Sequence, residues 1–157
     1  AENIMIVDLV RNDLSKISKK SSVNVDELCN VYGFEYVYQM ISTISSKVKS
    51  NIHFSDILMS TFPMGSMTGA PKLRAMELID TYEQTNRNFY SGSLGYIDPC
   101  GDFDFNVIIR TIVYNTTQKY LSVGVGGAIT AKSDPKLEYK ECLIKIKPII
   151  KALNNYE

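Results

Sequence analysis

Apolar residues recur with helical spacing at both ends of the chain. In residues 2–17 the apolar side chains surround most of the helix circumference, so the sequence predicts a largely buried helix. Residues 135–153 predict a second long helix, because Asp134 is a suitable N-cap and Pro135 a suitable first helical residue.

Between these helices, apolar and polar residues alternate with the two-residue period that is typical of strands. Three strand-like runs joined by short turns predict an antiparallel meander, at residues 89–97, 103–113 and 120–125. Shorter elements are predicted in the first half: two strands, or a strand and a helix, at 23–48, and helices at 55–61 and 71–83. Because helices, strands and a helix follow one another without βαβ alternation, we expect an α+β fold with an antiparallel sheet covered by helices.

Composition places the chain among globular proteins. Its 157 residues correspond to one average domain, and 45% of them are apolar and 22% charged. The 17 basic and 17 acidic side chains cancel, which argues against nucleic acid as a partner, and no apolar run is long enough to span a membrane. Three widely spaced cysteines without a Cys-x-x-Cys pair indicate reduced thiols and a cytoplasmic location.

The last predicted helix carries charges on the side that its apolar residues also occupy. Glu138, Glu141 and Lys145 fall within about 60° of one another around the helix axis, on the side of Ile149. Because burying an unpaired charge costs several kcal/mol, these groups need partners. One interpretation is an ion pair between Glu141 and Lys145. The other is a Mg²⁺ site at the two carboxylates, with Lys145 binding an anionic group. Glu2 is a third carboxylate, at the start of the helix that is predicted to be buried, and by itself it indicates a surface or end position.

Two segments rich in small residues and one arginine are candidates for binding anions. The turn at 124–129 lacks the Gly-Lys-Ser/Thr ending of a P-loop, and its glycine spacing is not that of a dinucleotide-binding fingerprint. Either it is a tight turn, or its backbone N–H groups approach an anion, as the loop at 62–72 could also do. Arg110, within an apolar run, would pair with Asp102 or Asp104, or clamp a substrate carboxylate. Together these groups suggest a small substrate with more than one carboxylate.

These motifs, taken in order along the chain, resemble the chorismate-utilising enzymes. That family includes the anthranilate, aminodeoxychorismate, isochorismate and salicylate synthases, and the resemblance covers residues 1–157 as the later part of the chorismate-binding catalytic domain. The matching segments are residues 1–13, 65–72, 90–96, 109–111, 126–129 and 138–141, together with Lys145.

The resemblance implies a set of site residues. The Mg²⁺ ligands would be Glu2, Glu138 and Glu141. The groups that bind the carboxylates of chorismate would be Tyr90, Arg110, Lys145 and the amides of Gly126 and Gly127. Thr68 and Gln39 would be the catalytic positions near the ring. Many relatives have a histidine where this chain has Gln39, and a glutamine can donate hydrogen bonds but cannot act as a general acid or base.

The resemblance also favours one branch of the family. Thr68 within Gly-Ser-Met-Thr-Gly-Ala-Pro-Lys, the segment 37–43 and Phe105-Asn106-Val107 are similar to the aminodeoxychorismate branch, with the anthranilate branch as the alternative. This branch implies Mg²⁺-dependent amination of chorismate for p-aminobenzoate and folate synthesis, with ammonia from a separate glutamine amidotransferase.

Some family features are missing from the sequence. The third glycine of the family turn is Ala128, and the chain begins with an apolar helix pattern at Ala1 rather than with a methionine. The family's lysine-containing and Ser-Pro-Glu motifs would precede Ala1. We therefore expect an interior piece of a longer protein that lacks the N-terminal half of the domain, and an inactive fragment is a further alternative.

Overall fold

The computed structural model describes residues 2–34 and 38–154, which form two compact units that meet in sequence between Gln84 and Thr85. Ala1 and Val37, which begin two of the family motifs, lie outside the described residues. The elements of the first unit are α1 (Glu2–Ile17), β1 (Asn24–Gly33), β2 (Tyr38–Ser45), α2 (Phe54–Thr61), a 3₁₀ turn (Gly65–Met67) and α3 (Lys72–Tyr82). Those of the second are β3 (Ser93–Ile97), β4 (Phe103–Val107), β5 (Ile112–Asn115), β6 (Tyr120–Val123) and α4 (Pro135–Asn154).

Helices and antiparallel hairpins make up both units, so the α+β class is confirmed. Strands β1 and β2, β3 and β4, and β5 and β6 pair as three two-stranded antiparallel sheets. The prediction for residues 23–48 thus resolves as two strands. In the first unit α1 packs against the β1–β2 hairpin, α2 and the 3₁₀ turn, and Val7 and Ile17 are its buried apolar residues.

The expectation that α1 is largely buried was wrong. Ile4 is 49% exposed and Met5 39% exposed. Apolar residues surround this helix, but the elements of its own unit pack against only part of its circumference. The helix itself, over Glu2–Ile17, is confirmed.

The predicted run at 103–113 is not one strand, because the chain breaks it between β4 and β5. Arg110 has φ of +50°, a left-handed conformation that cannot continue a strand, and Ile109 N–H donates to the carbonyl of Val107 only two residues before it. The predicted three-strand meander is therefore corrected to two hairpins. The two turns that were predicted do occur, and each is closed by a side-chain oxygen, of Asp98 and of Asn115.

Helix α4 begins as its sequence predicts. The Oδ1 atom of Asp134 accepts hydrogen bonds from the backbone N–H groups of Lys136 (2.9 Å) and Leu137 (3.0 Å), which have no partner within the helix. Among the described residues no helix combines the length and apolar character that a membrane crossing requires.

We expect Asp134→Ala to lower the free energy of unfolding by about 1 kcal/mol, because two N-terminal amides of α4 lose their acceptor. Urea unfolding of the full-length protein measures the loss. Asp134→Asn keeps an acceptor at the same place and should retain most of the stability. Equal losses for both variants would contradict this account of the cap.

Candidate functional site

Tyr90 lies in the turn immediately before β3, in the second unit. Backbone hydrogen bonds between Ser91 N–H and the Ile108 carbonyl, and between Ile108 N–H and the Gly92 carbonyl, both 2.9 Å, extend the β3–β4 pairing up to this turn. Tyr90 N–H donates to the carbonyl of Arg87 at 2.9 Å. Hydrogen bonds on both sides of Tyr90 thus fix the backbone that carries its half-buried ring.

The glycine turn, which we define as residues 124–129, follows β6 and lies against the ring of Tyr90. A Cβ on Gly124 would be 2.6 Å from Tyr90 Cδ2, and a Cβ on Gly126 would be 2.7 Å from the Tyr90 hydroxyl oxygen. Real side chains do not approach that closely. Glycine at these two positions therefore allows the main chain to contact the tyrosine, which explains the composition of the turn better than turn geometry alone.

Two carboxylates of α4 converge on the next residue of the same turn. A Cβ on Gly127 would lie 3.4 Å from Glu138 Oε2 and 3.5 Å from Glu141 Oε1. The spacing predicted that Glu138 and Glu141 share one face of α4, and the structure confirms that this face is turned toward the glycine turn. Glu138 is half-buried, and Glu141 is 52% exposed at its side chain.

Lys145 joins the helix to the turn. Its Nζ lies 2.6 Å from Glu141 Oε1 and donates to the carbonyl oxygen of Gly126 at 2.9 Å, with its side chain 28% exposed. The ion pair that the sequence offered as one interpretation is therefore present. The ion pair does not exclude the alternative, in which Lys145 binds an anionic group beside a Mg²⁺ site. An ammonium has three donors, and these contacts use two of them.

The electrostatics of this cluster are unbalanced. Glu138 and Glu141 contribute two negative charges and Lys145 one positive charge, and in the described part of the chain no ion pair reaches Glu138. An anion with two carboxylates would be repelled by this surface unless a cation bound there first. Carboxylate oxygens on one face are ligands that suit Mg²⁺, so the donor set fits that ion.

Arg110 occupies the connection between β4 and β5 and is exposed. Neither Asp102 nor Asp104 forms an ion pair with it, and within residues 2–34 and 38–154 its guanidinium has no hydrogen-bond partner. The alternative of an internal ion pair with these aspartates was wrong, because the break at 108–111 takes Arg110 out of the strand that would have aligned them. The guanidinium keeps all its donors for a ligand.

The other three predicted residues belong to the first unit. Glu2 is exposed in the first turn of α1, beside Asn3, whose side chain accepts hydrogen bonds from Ser42 and Cys29 of the β1–β2 hairpin. Gln39 is half-buried in β2, opposite Tyr32 of β1.

Thr68 follows the 3₁₀ turn and is half-buried. Its hydroxyl lies 3.1 Å from the carbonyl oxygen of Met64 and donates within its own loop, so its lone pairs stay available to accept.

The structure brings together the predicted residues Tyr90, Gly126, Gly127, Glu138, Glu141 and Lys145 within the second unit. Glu2 belongs to the first unit and the two glutamates of α4 to the second, so a magnesium triad that includes Glu2 stays a prediction. Within the described parts of either unit, no three His, Cys, Asp or Glu side chains form a cluster able to hold a metal ion.

Sequence reasoning missed two features. Gly124, which admits the ring of Tyr90, was visible only as part of a glycine-rich run. Asp13 is a buried acid on α1 that pairs with Lys72 at the start of α3. In the sequence, the signal for Asp13 was the position of a carboxylate within the apolar pattern of the helix. An open cleft of about 590 Å³ lies beside this pair, and none of the predicted site residues lines it.

Known proteins are similar to this chain in sequence and in fold. A family model described as chorismate binding enzyme matches residues 1–151. Aminodeoxychorismate synthase component 1 of Salmonella typhimurium is 44% identical over 155 residues, which is 99% of this chain and 34% of that protein. Its Escherichia coli counterpart is 44% identical over 153 residues, 98% of this chain and 33% of that protein.

A solved structure gives the same answer for the fold. Anthranilate synthase component I from Streptococcus pneumoniae superposes with a TM-score of 0.79 at 35% identity, covering 93% of this chain and 33% of that one. The family resemblance read from the motifs is thereby confirmed. The chain spans between 17% and 34% of the length of the curated relatives it matches.

We expect Gly126→Ala to lower the free energy of unfolding by about 1–3 kcal/mol, because its Cβ would overlap the Tyr90 hydroxyl. Adding Tyr90→Phe removes that oxygen and should recover most of the loss, since the next ring atom would be 3.6 Å away. Denaturant unfolding measures both.

Gly127→Ala is the matched control, because its Cβ would meet nothing nearer than 3.4 Å. If Tyr90→Phe fails to recover stability, Tyr90 does not lie against the turn as described.

Proposed function

This chain belongs to the chorismate binding enzymes, and we propose that it is part of component I of an aminodeoxychorismate synthase. Such an enzyme replaces the C4 hydroxyl of chorismate with ammonia, giving 4-amino-4-deoxychorismate for p-aminobenzoate and folate synthesis. The names of the two bacterial relatives at 44% identity support this branch.

The observation that carries the proposal is the convergence of Glu138 and Glu141 on Gly127. A helix face with two carboxylates beside a backbone turn is a poor surface for an anion and a good one for a hard divalent cation. Since chorismate carries two carboxylates, a cation between protein and substrate would turn repulsion into attraction. We therefore propose that Glu138 and Glu141, with Glu2, hold a Mg²⁺ ion.

Other groups of the chain would grip the substrate. The Tyr90 hydroxyl, the third donor of Lys145 and the guanidinium of Arg110 are hydrogen-bond donors suited to carboxylates. In the described residues, no group accepts a hydrogen bond from the Tyr90 hydroxyl. Backbone N–H groups of Gly126 and Gly127 would add to these donors, because these residues carry no side chain of their own.

Bond breaking at C4 develops charge that fixed donors can stabilise. A bound Mg²⁺ would supply positive charge at the substrate carboxylate. Thr68 and Gln39 would be the catalytic positions beside the ring, where the Thr68 hydroxyl can accept a hydrogen bond. Gln39 can only donate and accept hydrogen bonds, so a proton moved at this point must pass to another group or to water.

The proposal implies a second protein. The bacterial relatives are named component 1, and we propose that a glutamine amidotransferase supplies the ammonia. The three cysteines are free thiols, which is consistent with the cytoplasmic location that we propose.

We expect Glu138→Gln and Glu141→Gln to weaken Mg²⁺-dependent binding of chorismate by at least about tenfold, the lower end of the loss seen even for outer partners of metal sites. Isothermal titration of the full-length protein with chorismate, with and without Mg²⁺, measures this. Glu77→Gln, which removes an exposed carboxylate paired with Arg74, is the control. Chorismate binding that is equally tight without Mg²⁺ would contradict the proposed role of these carboxylates.

Product analysis distinguishes the two branches of the family. With chorismate, Mg²⁺ and ammonia, we expect the full-length protein to form 4-amino-4-deoxychorismate without releasing pyruvate. Fluorescent anthranilate together with pyruvate would instead assign the anthranilate branch. The 157 residues alone are expected to be inactive, and turnover by that fragment would contradict the implied requirement for the additional family motifs.

A further inference from the structure

We infer that the ion pair between Asp13 and Lys72 is a clamp that positions the loop carrying Thr68. This inference rests on the proposed function, in which Thr68 lies beside the substrate ring. We call residues 62–71 the Thr68 loop. Apart from the 3₁₀ turn at Gly65–Met67 it has no regular secondary structure that could fix its shape.

Asp13 is a buried acid near the C-terminal end of α1. Its side chain is 7% exposed, and its carboxylate pairs with Lys72 through Oδ2 and with Lys16 at 3.0 Å through Oδ1. Removing a carboxylate from water is costly unless its partners are well placed. The two partners differ, since the Lys16 side chain is 55% exposed and that of Lys72 only 18%.

Lys72 connects both ends of the Thr68 loop to α1. It directly follows the loop as the first residue of α3, and its Nζ also donates to the carbonyl oxygen of Pro63, near the beginning of the loop, at 2.7 Å. One ammonium therefore closes the loop on itself and fastens it to Asp13. A lysine at the edge of a helix would otherwise extend into solvent.

Other contacts hold the same surfaces together. Gly65 is buried, and a Cβ there would be 3.0 Å from the Cβ of Leu9 on α1. Ser60 donates to the backbone carbonyl of Asp13 at 2.6 Å. Because Gly65 is fixed on α1, and Thr68 N–H donates to the Gly65 carbonyl at 3.3 Å, the position of Thr68 depends on how the loop is seated.

Lys72→Met tests the clamp in the full-length protein. We expect kcat/KM for chorismate to fall by about 10- to 100-fold, the loss expected when a reacting group is displaced by about 1 Å. Lys16→Met removes the exposed partner and should change kcat/KM less than about twofold. In combination with Thr68→Val, the Lys72→Met loss should be much smaller than in the wild-type background, because both changes act on one position.

Hydrogen exchange supplies a readout that does not depend on the reaction. The amides of Met67 and Thr68, which donate to Met64 and Gly65, should exchange faster in Lys72→Met and unchanged in Lys16→Met. If Lys72→Met does not fold, Asp13→Asn combined with Lys72→Met removes both buried charges and should show the same faster exchange. If the wild-type full-length protein has no activity with chorismate, the proposed function is overturned. Hydrogen exchange in the variants then still tests the clamp.

If the amides of Met67 and Thr68 exchange at the wild-type rate in Lys72→Met, the proposed clamp is overturned. Additive losses in kcat/KM for Lys72→Met and Thr68→Val would also overturn it, since a merely stabilising ion pair gives that result.

Discussion

Like charge on one face of α4 is the constraint on which the site in the second unit depends. Glu138 and Glu141 both lie against the glycine turn, and two carboxylates on one face attract positive charge. Lys145 supplies part of it, by pairing with Glu141 and bonding to Gly126. The remaining negative charge explains why a dicarboxylate substrate and a divalent cation belong together in the proposed function.

Two glycines of the turn follow from a steric constraint. Gly124 and Gly126 leave room for the ring of Tyr90, which a Cβ at either position would overlap. A Cβ on Gly127 would meet Glu138 and Glu141 only at ordinary contact distance, so their carboxylates do not require glycine at that position. The glycines at 124 and 126 are thus set by the neighbouring Tyr90 rather than by the path of the chain alone.

How much could be predicted from the sequence depended on whether a feature was local. The N-cap at Asp134 and the shared face of Glu138, Glu141 and Lys145 depend only on helical spacing, and they were found. The break at Arg110 was not, because an apolar β-branched run gives no sign of one left-handed residue. The pair of Asp13 with Lys72 spans 59 positions, so no periodicity reveals it. The burial of α1 was overestimated because the spacing of apolar residues shows which faces of a helix could be buried. It does not show which faces other elements of the fold pack against.

The two units use the same device to hold an irregular segment. In each, a half-buried lysine pairs with a helical carboxylate and also donates to a backbone carbonyl, of Pro63 in the first unit and of Gly126 in the second. Such segments have few backbone partners of their own, so a single ammonium with several donors can fix them. In the second unit the lysine restrains the glycine turn through the carbonyl oxygen of Gly126. Because an ammonium has no acceptor, it leaves the N–H groups of Gly126 and Gly127 for the anionic substrate that the proposed function assigns to them.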